Sequence, residues 1–299
     1  MSDLPPNPLL RALGLADTDR IVLIHTDDIG MCHASLAAYA DLAASGVISA
    51  GSTMVPCPWF PATAQFCREH PDIVDMGVHI TLNSEWDSGY AWGAVSTRDP
   101  ASGLLDERGA MHSTTAATQV HATPAAVRAE ITAQVERALA AGIDVTHIDS
   151  HMGTVFFPGY LESYIEVALQ HRVPPFLVRQ IPPDFDPAVA GELLGRIQAL
   201  EARGLPMFDQ VTFVPFDRPD NHLERTKASL SALAPGLTYL IIHPSADTPE
   251  LRAILPDGWQ VRVAEYQTFM REELRDHLRA EGIHLVGWRK LRELLRAKL

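Results

Sequence analysis

Short runs of apolar, β-branched residues alternate along the chain with longer stretches of helical spacing. Arg20–Thr26 (RIVLIHT) reads as a strand, because so short an unbroken apolar run fits a strand covered on both faces. Cys32–Ser45 follows with helical periodicity and stops at Gly46. Val47–Val55 is then β-rich, Phe60–Glu69 is helical after Pro58, and Ile73–Ile80 is a strand. Thr123–Ala141 reads as a long helix, opened by a Thr-Pro pair suited to the N-cap and first turn. Val145–Asp149, Phe176–Arg179, Gln210–Pro215 and Leu237–His243 read as strands, and Gly159–His171, Pro187–Arg203 and Leu223–Leu233 as helices among them. Glu265–Glu281 reads as a charged helix and Ile283–Val286 as a weak last strand before a basic terminal helix.

This alternation predicts parallel strands joined by helical crossovers. Seven good strands and a weak eighth predict an α/β fold, a distorted or incomplete (β/α) barrel of TIM-barrel type. A doubly wound open sheet is the alternative. No repeat, low-complexity tract or linker divides residues 1–299, so one domain is expected. The exception to the pattern is Asn83–His121, rich in Gly, Ser, Trp and Asp. A loop this long inside a compact domain is usually functional or disordered. Its place after a strand end predicts a segment covering the substrate.

The balance of 37 acidic against 24 basic residues gives a net charge of -13, which excludes nucleic acid and anionic membranes as natural partners. Apolar residues at 46% and charged residues at 20% fit an ordinary soluble globular protein. Cys32, Cys57 and Cys67 are far apart and form no C-x-x-C spacing, so reduced thiols and a cytoplasmic location are expected. The first residues lack the basic and apolar regions of a secretory signal, and no window approaches the roughly 18 apolar residues of a membrane span. A homo-oligomer is left open.

The chemistry gathers where strands end. Asp27 and Asp28 are adjacent and precede Gly30; neighbouring carboxylates persist in one site with a cation or a shared proton. One could bind a metal while the other acts as general base, or the pair could cap the following helix. His79 lies in the apolar run Met76–Leu82, where alternation sets it on one face with Gly77 and Thr81, as a ligand or as a core residue. His147, Asp149 and His151 alternate and would share the lumen face of a barrel, either as ligands or as hydrogen-bonding partners within the sheet. His243 closes the run Tyr239–Ile242 and could act as general acid or make a turn hydrogen bond. Arg179, at the end of the fifth expected strand, could hold an acid or steady an oxyanion, or be a solvated charge. One Asp and two His leave coordination positions open for water and substrate, and suit Zn, Co, Mn or Fe, with Mg admitted by the carboxylate.

These motifs resemble those of the YdjC/ChbG-like carbohydrate deacetylases. Asp27-Asp28-Ile29-Gly30 is similar to that family's A-D-D-F-G, Gly77–Leu82 to its G-x-H-x-x-L, Thr146–His151 to its T-H-[IL]-D-S-H, and Ile242–Ser245 to its H-P-G. Order and spacing agree from about Arg20 to Leu295. The resemblance implies a distorted barrel with one divalent ion held by Asp28, His79 and His151, with Asp27 as general base and His243 as acid. Arg179 falls where the family has an arginine. The chain departs from the family at Met152–Val155, where further histidines are usual, and at Ile29 and Met31–His33.

The expected activity is metal-dependent removal of an N-acetyl group from an amino sugar or oligosaccharide, with Zn or Mg, or else Co or Mn, as the ion. Trp86, Tyr90 and Trp92 of the long loop are candidates to stack on a sugar ring, or to pack the loop down. The alternatives are a hydrolase of another amide or ester on the same scaffold, and a non-catalytic sugar-binding protein. A spare carboxylate beside a metal ligand argues against the last.

Overall fold

The longest strand, β1 (Arg20–Ile29), is buried along almost its whole length and organises the molecule. It follows a short helix, α1 (Pro8–Ala12), in a computed structural model that describes residues 5–86, 89–180, 187–215 and 217–298. The chain continues through α2 (His33–Ser45), β2 (Ala50–Thr53), α3 (Phe60–Glu69), β3 (Met76–Ile80), α4 (Thr115–His121), α5 (Pro124–Ala140), β4 (Val145–Ser150) and α6 (Pro158–Gln170). It ends with α7 (Pro187–Ala202), β5 (Gln210–Phe213), α8 (His222–Ser231), β6 (Gly236–Ile242), α9 (Pro249–Ile254), α10 (Trp259–Phe269), α11 (Glu272–Ala280), β7 (Ile283–Leu285) and α12 (Trp288–Arg296).

The strands form one parallel sheet in the order β4-β3-β2-β1-β6-β5, with β7 pairing the first residues of β1. Between the edge strands β4 and β5 runs 174–179, joined to each side by single bridges, Ile148 to Pro175 and Val178 to Phe208. Phe176–Arg179 was expected as a full strand. Pro174 and Pro175 remove two amide donors where it would enter the sheet, which leaves bridges in place of a ladder. The result is the distorted α/β barrel anticipated from the alternation.

Strand alternation sorts the core. Val22 and Ile24 pack outward with Leu42, Leu240, Phe269 and Leu278, beneath the covering helices. Ile21 and Leu23 point inward with Leu237, Tyr239, Phe176, Phe208 and Trp288. His25 and Asp27 continue that inward row, so the lumen is apolar at its floor and polar toward the strand C-termini.

Other differences have local causes. The expected helix Glu265–Glu281 is two helices, α10 and α11, broken at Met270–Arg271. The Asn83–His121 segment contains α4 and a 3-10 turn at Pro100–Ser102, and is packed down. Trp86, Trp92, Leu104, Leu105 and Met111 bury into the main core, and the Glu130 carboxylate accepts the amides of Val95 and Ser96 at 2.9 and 2.7 Å. Asp87 and Ser88 of this segment lie outside the described residues. The three cysteines are unpaired and buried, and among the described residues no helix is long and apolar enough to cross a membrane.

Candidate active site

In a regular strand Asp27 and Asp28 would face opposite sides. Here the pairing of β1 with β2 changes register between Thr26 and Ile29, and Asp28 adopts a left-handed backbone with φ 59°. Aspartate is among the few residues that enter this region readily. The twist turns both carboxylates toward His79: Asp28 Oδ1 lies 3.4 Å and Asp27 Oδ2 3.8 Å from its Nε2. Gly30 at φ 83° then makes the turn into α2, where a Cβ would lie 2.9 Å from Thr63 Oγ1.

His79, in β3, is held from behind. Its Nδ1 lies 2.9 Å from Asp149 Oδ1 and 3.0 Å from Ser52 Oγ, so Nδ1–H donates to the carboxylate and Nε2 looks into the site. Asp149 also accepts from Ser52 Oγ at 2.9 Å and from the Tyr239 hydroxyl at 3.2 Å. His151, just past β4, brings Nδ1 to 3.1 Å from Asp28 Oδ1, while its Nε2 meets the Glu85 carboxylate at 2.8 and 2.9 Å. Each imidazole is thus oriented by a carboxylate on its far nitrogen.

One ligand atom from each of Asp28, His79 and His151 falls within 4.8 Å of the others, and all three residues are buried. Asp28 Oδ1 sits between both rings, yet it is a buried oxygen without a well-formed hydrogen bond. Its other oxygen is taken by Arg262, whose Nη1 donates at 2.8 Å. A carboxylate oxygen and two imidazole nitrogens converging on one unsatisfied point fit a divalent cation, with positions left for water and substrate.

The electrostatics agree with a cation. Burial works against a charged His79, but Asp149 and Asp27 override it and hold the ring well above the ordinary histidine value. For His151 burial is likewise outweighed, by Asp28 and Glu85, and the ring is raised to about 9. Asp28 is held well below the carboxylate range, because Arg262 and the two histidines overcome the cost of its burial. The pocket favours positive charge.

Asp27 is used differently. Its Oδ1 accepts from His25 Nδ1 at 2.7 Å, and its Oδ2 lies 3.9 Å from His243 Nε2. His243 follows β6, and its backbone N–H donates to Glu265 Oε2 at 2.7 Å. Burial pushes the His243 ring down to about 4 and the Glu265 carboxyl up to about 8.

The expected site residues do not all meet. Asp27, Asp28, His79, His151 and His243 come together. Arg179 does not join them: its Nε lies 2.7 Å from Glu201 Oε1 and its Nη1 donates to Asp209 Oδ1 at 2.7 Å. Trp86 and Trp92, 7% and 5% exposed, pack against the His151 ring at centroid distances of 6.0 and 6.4 Å. They back His151 instead of offering a free face. Tyr90 is half-buried and its hydroxyl donates to the Met31 carbonyl. Sequence reasoning missed Arg262, Glu265 and Glu85. Glu265 opens a helix read only as charged, Arg262 lies just before that helix as it was read, and Glu85 hides in the long loop.

A model of the family described as YdjC-like protein matches residues 21–280. A carbohydrate deacetylase of Thermus thermophilus is 32% identical over 296 residues, covering 96% of this chain and 99% of that protein. A carbohydrate deacetylase of Thermoanaerobacter pseudethanolicus is 24% identical over 232 residues, covering 78% and 84%. Among solved structures, an Enterococcus faecalis protein named for cellobiose-phosphate cleavage superposes with a TM-score of 0.74 at 18% identity, covering 91% of this chain and 99% of that one. At that identity the likeness is one of fold.

Proposed function

We infer that this chain, which belongs to the YdjC-like family, is a carbohydrate deacetylase that hydrolyses an N-acetyl group on an amino sugar or oligosaccharide. Its relatives named carbohydrate deacetylase supply the substrate class. The observation that carries the chemistry is the pair of adjacent carboxylates with different surroundings. Asp28 Oδ1 faces two imidazole nitrogens, while Asp27 Oδ2 faces the site with its partner oxygen already hydrogen-bonded.

Asp28, His79 and His151 would hold one divalent ion, with Zn or Mg first and Co or Mn also suited. When bound, the ion supplies Lewis acidity toward the acetamide carbonyl and the attacking water. Asp27 Oδ2 takes the proton of that water. His243 starts neutral because of its burial; the proton collected by Asp27 reaches it through one water spanning the 3.9 Å between Asp27 Oδ2 and its Nε2, and His243 passes it to the departing amine. Glu265 fixes the backbone at His243, and Glu85 and Asp149 fix the rings of His151 and His79. With Trp86 and Trp92 committed to His151, Tyr90 is the loop aromatic with surface left for a sugar ring. The three unpaired cysteines fit a cytoplasmic location.

The test is acetate release from mono- and oligomeric N-acetylglucosamine with added Zn, Mg, Co or Mn, with chelator, and with Asp27→Asn as the blank. Metal-dependent release that Asp27→Asn lowers by at least about a hundredfold, at unchanged metal content, supports the assignment. Turnover retained in Asp27→Asn overturns Asp27 as base. Release of other acyl groups in preference to acetate moves the substrate to another amide or ester.

A further inference from the structure

Below the proposed base lie two buried histidines that the chemistry above does not use. His25 Nδ1 is 2.7 Å from Asp27 Oδ1, and His25 Nε2 is 2.8 Å from His147 Nε2. His147 Nδ1 is in turn 3.0 Å from Thr146 Oγ1. Both rings are fully buried above Tyr239, Trp288, Phe208 and Leu237, with the buried Asp149 Oδ2 3.7 Å from His25 Nδ1.

The first hydrogen position follows from its partner: a carboxylate cannot donate, so His25 carries a proton on Nδ1. In a row that runs one way, His25 Nε2 accepts from His147 Nε2, and His147 Nδ1 accepts from the Thr146 hydroxyl. In that arrangement every donor points toward Asp27.

The rings are also clamped. His147 lies flat on Trp288, with centroids 4.6 Å apart and an interplanar angle of 10°. Its other side is pressed on Gly77, where a Cβ would stand 2.4–2.6 Å from three ring atoms. His25 stacks on Tyr239 at 4.8 Å and 27°. A glycine that makes room for one ring, and aromatic partners under both, are more than two satisfied core histidines require.

We propose that His25 and His147 form a one-way hydrogen-bonded chain that aims the Asp27 carboxylate, holding Oδ1 so that Oδ2 stays presented to the attacking water. They are positioning residues, acting through Asp27. The role rests on Asp27 as the base of the deacetylase reading, but the chain itself can be tested without turnover.

The first measurement is a long-range proton–nitrogen correlation spectrum of the histidine rings in the full-length protein, assigned with His25→Gln and His147→Phe. His25 is expected as the Nδ1–H tautomer and His147 as Nε2–H; an Nε2–H His25 overturns the chain. The second compares His25→Phe, which keeps a ring without a donor, with His25→Gln, whose amide can still donate to Asp27. In His25→Phe kcat should fall at least about tenfold, with KM and bound metal unchanged, and His25→Gln should recover part of it. Unchanged kcat in His25→Phe, or equal loss of metal and turnover in both variants, overturns the positioning role. If His25→Phe does not fold, His147→Phe is read by the same split. A wild type that releases no acetate counts against the deacetylase reading alone, since the ring tautomers still decide the chain.

Discussion

Gly77→Ala isolates the clamp on His147 with a single methyl group. The new Cβ would lie 2.4 Å from Cε1, 2.5 Å from Nδ1 and 2.6 Å from Nε2 of the ring. Carbon contacts are comfortable from about 3.5 Å, so the ring must retreat by roughly 1 Å. It cannot do so freely, because Trp288 stacks on the opposite face and is itself fully buried. Overpacking of this kind costs about 1–3 kcal/mol, and losing the 2.8 Å bond to His25 adds about 1 kcal/mol. We expect Gly77→Ala to lose about 2–4 kcal/mol in urea unfolding. The control is Gly195→Ala in α7, where a Cβ meets nothing within 4 Å and where alanine should stabilise by up to about 1 kcal/mol. The double variant Gly77→Ala, His147→Ala should be less destabilised than the sum of its parts, since the smaller side chain vacates the overlap. Stability of Gly77→Ala within about 0.5 kcal/mol of wild type would refute the clamp.

Three further outcomes follow from other parts of the molecule. Asp28→Ala should abolish stoichiometric binding of a divalent ion by calorimetry, whereas Asp27→Asn should retain it; equal binding by both would remove Asp28 from the ligand set. Arg179→Met removes the buried partner of the half-buried Glu201 and Asp209 carboxylates and should cost about 1–3 kcal/mol of stability, with kcat/KM of the folded protein nearly unchanged. A fall in kcat without loss of stability would return Arg179 to the site. His222 is 4% exposed, and burial depresses its ring from 6.5 to about 4. The unfolded chain therefore binds the extra proton first as pH falls, so the stability present above pH 6.5 erodes toward pH 4. This amounts to about 2 kcal/mol between pH 7 and 5, and should be absent in His222→Gln.

Much of this architecture was legible because alternation is a strong signal. The inward row Ile21, Leu23, His25, Asp27 and the shared face of Gly77 and His79 follow from period two alone. What period two cannot give is Asp28, which should have pointed away from Asp27 and is brought back by a left-handed backbone at a register shift. Arg262 reaches Asp28 across 234 positions of sequence, and no local pattern marks it. The tryptophans of the long loop were read as surface for a ligand because their neighbours are polar. They are buried because the segment folds back under Glu130 and seals His151.

The stacking of Trp288 on His147 has a consequence for biosynthesis. β7 fills a place beside β1, and α12 carries the indole that floors the lumen. The column of rings under Asp27 therefore cannot be completed before α12 is made. An emerging chain could lay down its first strands and helices in order, as domains commonly do during translation. It would still align Asp27 only once α12 has emerged, which ties the order of the site to a helix far downstream of the strand that carries it.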